Sequence, residues 1–202
     1  TRHPVTLHRV FAVAAVAAMT MLTGCANMYV DTATKEVPVA EYKKAVQPKP
    51  VQLAFEFQSN GAPNAAATAF LKDSVALQIR ESGLFAADSA VPGSPAALLT
   101  IKLNNVPITK DAMAKGFVTG LTFGLAGSAV TDGYECTLSY LPAAQSTPIV
   151  TTARHAIHTT IGNASAPAGA GKALDPQTAV RTMTRDVVSH ALRDLAMNPS
   201  FN

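Results

Sequence analysis

Two histidines, His155 and His158, stand three apart in a run rich in Thr, Val and Ile. On a strand, odd spacing puts side chains on opposite faces, so this pair does not suit a shared metal. Asp186 and His190 are four apart in a helical pattern and would meet on that helix's surface as a solvated pair. The chain has two cysteines, Cys25 and Cys136. Cys136 falls on the apolar side of an alternating run and reads as an inert core thiol. The acids are scattered, and no nucleophile elbow, phosphate loop or His-Glu-x-x-His motif occurs. No catalytic residue and no metal site are nominated, and the chain is expected not to be an enzyme.

Cys25 carries the most specific signal. A short basic opening, with Arg2 and Arg9 and no acid, precedes an apolar run from Val10 to Leu22. Such a run is too short for a helix to cross about 30 Å of hydrocarbon, but it fits the apolar region of an export signal. The run ends in Leu22-Thr23-Gly24-Cys25, which resembles the lipobox of bacterial lipoproteins: a branched aliphatic residue, two small ones and Cys. The resemblance implies cleavage just before Cys25, a diacylglyceryl thioether on its sulfur and acylation of the new amino group. Ala26 follows in place of Asp, which implies passage to the outer membrane, with the domain facing the periplasm. Acyl chains add about 0.8 kcal/mol per buried methylene, so a multiply acylated terminus stays in the membrane. The covalent lipid is the only bound group expected. Once it is used, Cys136 has no partner, which excludes an internal disulfide.

Loss of Arg2 and Arg9 would leave 14 basic residues against 13 acidic ones, a net charge of +1. No basic stripe suits nucleic acid, so none is expected as a partner.

Residues 1–24 are therefore expected to be a signal peptide, 25–50 a lipidated N-terminus and flexible tether, and 51–199 one periplasmic domain. The tether contains Pro38, Pro48 and Pro50 and lacks apolar periodicity, and its Lys43, Lys44 and Lys49 could touch anionic headgroups. From Val51, alternation predicts a strand to Gln58. A helix follows over about 64–82, stopped by Gly83 with Leu84 and Phe85 folding back. Further strands are expected at about 97–104, 134–141 and 149–161, the last two as an antiparallel hairpin. Residues 162–172 read as a flexible loop. Asp175-Pro176 caps and opens a second helix, whose polar edge is Arg181, Arg185, Ser189 and Arg193, and Asn198-Pro199 ends it. The fold class is α+β: a mainly antiparallel sheet of about four strands, two helices on one face, and a Gly-rich apolar insert over 112–130.

That insert is uncharged after Lys115, and Gly116, Gly120 and Gly124 recur every four residues, with Gly127 beyond. On a helix those glycines would form a smooth stripe for close packing, with Phe117 and Leu121 projecting elsewhere. Three roles stay open: packing on its own domain, contact with a partner or a second copy, or insertion into a bilayer. The element order, with Leu77-Gln78-Ile79-Arg80-Glu81-Ser82-Gly83-Leu84-Phe85 closing the first helix, also resembles small periplasmic lipoprotein modules. Those include the curli-secretion lipoprotein and the activators of penicillin-binding proteins. That resemblance implies an accessory or assembly role and carries over no catalytic residue. The expected partners are the membrane, through the lipid, and either an envelope protein or further copies of the chain in a secretion or transport assembly.

Overall fold

The structure, a computed structural model, describes residues 26–86, 97–108, 129–143, 147–162 and 164–201. Among these, two helices pack on a seven-stranded mixed, mostly antiparallel sheet. In chain order the strands are β1 (Ala26–Asp31), β2 (Val51–Ser59), β3 (Ala62–Pro63), β4 (Ala97–Pro107), β5 (Ala129–Leu141), β6 (Ile149–Ile161) and β7 (Ala170–Lys172). The helices are α1 (Ala65–Glu81) and α2 (Pro176–Met197). Across the sheet the order is β3-β2-β4-β5-β6-β1-β7.

Local chemistry explains the elements that the sequence predicts. Asn64 caps α1 by accepting from the Ala67 amide at 3.0 Å, and Asp175 does the same for α2 from Thr178 at 2.7 Å. Gly83 takes φ +67°, which a Cβ would disfavour, and turns Leu84 and Phe85 inward to burial. Between β2 and β4, α1 makes the crossover that their parallel pairing requires. The β5–β6 hairpin is antiparallel over its whole length. Inward positions of the central strands, Leu99, Ile101, Leu103, Cys136, Leu138 and Ile157, are sealed against Leu71, Val75, Met183, Val187 and Leu192 of the helices.

Three expectations need correction. Among the described residues the strands number seven, not about four. Residues 129–130, read as the end of the insert, begin β5, and 170–172, read as loop, form β7. The 26–50 segment is no free tether. Its first six residues are β1, paired with both β6 and β7. Residues 32–42 then cross α2 as a strap, burying Val37 and Tyr42. The Val37 amide donates to Ser189 Oγ at 2.8 Å, and the Tyr42 hydroxyl donates to the Ser189 carbonyl at 3.1 Å. Ser189 is thus buried under the strap instead of standing on the polar edge of α2.

Candidate functional site

The N-termini of α1 and α2 lie over the same end of the sheet, where β2 and β4 finish and β5 begins. The turn at Asn60-Gly61, both with positive φ, swings the chain from β2 into β3. It is held to β4 by Asn60 N to Asn105 O (2.8 Å) and Gly61 N to Asn104 Oδ1 (2.9 Å). The Thr68 hydroxyl then accepts from the Phe57 amide at 2.9 Å and locks the first turn of α1 to β2. With both helix starts fixed this way, a gap remains between them. It is an open groove of about 540 Å³, walled by Phe57, Ala67, Phe70, Pro176 and Val180, with Asn105, Asp132 and Tyr134 as its floor. Arg181 lies over the Phe70 ring, its guanidinium carbon 4.1 Å from the centroid.

The floor is polar, and polar Ser59, Asn64 and Gln177 stand beside the apolar side chains of the walls. Burial raises the Asp132 carboxyl above the ordinary range, against the opposing hydrogen bond from the Asn105 side chain. Burial, then the charge of Asp132, pushes Tyr134 up to about 12, again opposed by Asn105. Tyr134 therefore keeps its proton at neutral pH. The groove can bury an apolar side chain or chain segment while meeting one polar group at its base.

The predicted chemistry of the histidines resolves differently on the two sides of β6. His155 faces α2 and is fully buried, with Nε2 3.2 Å from Asp186 Oδ2. Its Nδ1 accepts from the Ala156 amide at 2.8 Å, so the proton sits on Nε2 and is donated to the carboxylate. Asp186 is consequently a buried partner of β6, which corrects its expected surface pairing with His190. His190 Nε2 instead donates to the Lys35 carbonyl of the strap at 2.8 Å.

His158 faces the other side and is also sealed. Its Nδ1 lies 2.9 Å from Thr131 Oγ1 on β5, and its Nε2 lies 3.5 Å from Asp31 Oδ2 on β1. Hydroxyl, imidazole and carboxylate stand in the order that activates a nucleophile. The second spacing, however, is an ion-pair distance and not a hydrogen bond. With Asp31 and His158 each only 1% exposed, the row's effect is to tie three neighbouring strands together.

The expected lipidation motif, Leu22, Thr23, Gly24 and Cys25, lies outside the described residues. So do Gly116, Gly120, Gly124, Gly127, Phe117 and Leu121. Cys136 is fully buried, and burial, with the charge of Glu135 adding, pushes its thiol up to about 12. Among the described residues no helix is long and apolar enough to cross a membrane, and no three metal-ligating side chains cluster. The groove floor was missed from sequence. Its signal is the parity of Asp132, an acid that shares its strand face with Tyr134, Cys136 and Leu138. Comparison with protein-family models and with curated proteins finds no match.

Proposed function

We propose that this chain is an envelope lipoprotein, anchored through Cys25 in the outer membrane and facing the periplasm, that acts by binding and not by catalysis. It would hold a protein or envelope partner as an accessory or assembly factor. The observation that carries the binding role is the open groove between the two helix N-termini, where apolar Phe57, Phe70 and Val180 stand among polar Ser59, Asn64, Gln177, Asn105, Asp132 and Tyr134. A site of that composition buries an apolar side chain and selects its orientation by one or two hydrogen bonds.

A photo-cross-linking residue at Ala67, in cells, followed by mass identification of the adduct tests it. A discrete adduct, lost on Val180→Glu while the protein keeps its melting temperature, is the expected result. Absence of any adduct from a folded, membrane-bound protein refutes the groove as the binding site.

A second reading has its own observation. Along Val51–Glu56, β2 pairs with β4 on one side, and its other edge meets no described strand, while at Phe57 the start of α1 takes over that edge through Thr68 Oγ1 and the Asn64 amide. An open edge can pair with a second copy, as a homo-oligomeric secretion or transport assembly would require. The native mass of the detergent-extracted protein separates the two readings: a large species made only of this chain favours the assembly.

A further inference from the structure

We propose that the end of the sheet bearing Ala26, Val130, Ile161 and the neighbouring Leu174 rests directly on a lipid bilayer. This deepens, and depends on, the assignment of Cys25 as the lipid-bearing residue.

The proposed anchor has almost no slack. A flexible tether of about 25 residues would let the domain wander roughly 25–30 Å from its anchor. No such length exists here, because Ala26 is already in register with Ile161. One peptide unit, about 3.8 Å between Cα atoms, separates Cys25 from the sheet. Acyl chains on Cys25 would hold this end of the sheet at the headgroups.

That end of the sheet presents apolar side chains. Val130 and Ile161 are each 56% exposed and Leu174 is 95% exposed. Ala173 N donates to Met28 O at 2.9 Å, so Leu174 follows directly beside β1. Val130 and Ile161 share the helix-facing side of the sheet with Ile157, at its extreme end. In water such residues are an unrecovered cost; in the acyl boundary of a bilayer each is buried.

An uncharged run of sequence also returns to the sheet at this end. From Gly116 to Thr131 the sequence holds no charge, and it enters the sheet at Ala129. Thr160 is in register with both Ala129 and Asn27. The end of that run and the anchor-bearing strand therefore flank one residue, about 10 Å apart across two strand spacings. The nearest charges on β7 and the start of α2 are Lys172, opposite Tyr29, and Asp175, which is fully exposed and keeps its carboxylate at the α2 cap. Both can stay hydrated at headgroup level.

The groove opens at this same end of the sheet, so its occupant would come from close to the membrane plane.

The test uses the full lipidated protein in phosphatidylcholine–phosphatidylglycerol vesicles that contain a lipid-borne fluorescence quencher. An environment-sensitive fluorophore is attached at Ile161→Cys, at Leu174→Cys and, as a control, at Val150→Cys. Val150 is exposed near the other end of β6, roughly 35 Å away. The buried Cys136 takes no label, and a lipidated Cys25 cannot. Probes at 161 and 174 should lose most of their emission while the probe at 150 keeps its own. Equal, weak quenching at all three positions, in protein that floats with the vesicles, overturns the proposal and leaves the anchor standing. Protein that does not float, with Cys25 open to alkylation, refutes the anchor and this proposal with it.

Discussion

A chain that begins at Val51, as a truncation meant to remove a tether would, should fail to fold. It lacks β1 and the strap, and so loses the buried side chains of Tyr29, Val30, Val37 and Tyr42. Full burial of each such side chain contributes about 1.5–3 kcal/mol, which makes roughly 6–12 kcal/mol for the four. That figure is an upper bound, because a real denatured chain already hides part of this surface. The same deletion exposes the β6 ladder edge and strips Asp31 from His158 and the Val37 amide from Ser189. A domain of this size is stable by about 5–15 kcal/mol, so the loss is comparable with the whole. Urea unfolding of 26–202 and 51–202, followed by far- and near-ultraviolet circular dichroism, decides the matter. The longer chain should unfold in one cooperative step, and the shorter should lack near-ultraviolet signal before urea is added. A shorter chain with the same midpoint and slope would refute the assignment of 26–42 to the core. Tyr42→Phe grades the same claim, since loss of its hydrogen bond to the Ser189 carbonyl should cost about 1 kcal/mol.

Other perturbations address the site and its supports. Asp186→Ala leaves the buried His155 Nε2 proton without its acceptor and should cost about 1–3 kcal/mol in the same urea assay. Combined with His155→Leu, it should cost less than the two single changes together, which a double-mutant cycle reads directly. Asn64→Ala should lower stability by about 1 kcal/mol through loss of the α1 cap. For Asp132, burial raises the folded carboxyl's pKa above its unfolded value, so the folded state binds the proton more tightly. Its contribution therefore favours folding at low pH and turns unfavourable as pH rises from the unfolded pKa through the folded one. Asp132→Asn should raise the melting temperature at pH 7 and remove that part of the acid-range slope; a lower melting temperature at pH 7 would count against desolvation as the dominant cause.

What could be read from the sequence divides by how each element announces itself. The two helices and the central strands each carry their own apolar period, and Gly83 and Asp175 marked helix ends correctly. β1 and the strap carry no such period. They bury Tyr29, Val30, Val37 and Tyr42 one or two at a time, into surfaces made by β6 and α2, and only the tertiary fold reveals that. β3 and β7 are two and three residues long, below what alternation can register. Asp186 and Ser189 looked solvated because helical period assigns a single buried stripe. α2 is covered twice, by the sheet and by the strap, and its buried residues include Met183, Asp186, Val187, Ser189 and Leu192. The groove was illegible for a related reason: its lining comes from the ends of five elements, and no one of them spells it out.

The position of β1 gives the proposed anchor a mechanical meaning. A lipid on Cys25 would pull on the domain through β1 alone. That strand is not at the sheet's margin but between β6 and β7, with five register pairs on one side and three on the other. Backbone hydrogen bonds in an antiparallel pair lie perpendicular to the strands, so a pull along β1 strains all of them together instead of opening them one by one. The Asp31–His158–Thr131 row adds side-chain ties across β1, β6 and β5 in the same sense. Charged and polar groups placed on a buried sheet face are a poor way to gain stability, since desolvation offsets much of their attraction. Their value here is registry. A one-residue slip of β1 would turn Asp31 toward the helices and Val30 toward the opposite face, leaving His158 without its carboxylate. Polar specificity in the strand next to the anchor holds the sheet end, and with it the groove mouth, at one fixed height above the proposed membrane surface.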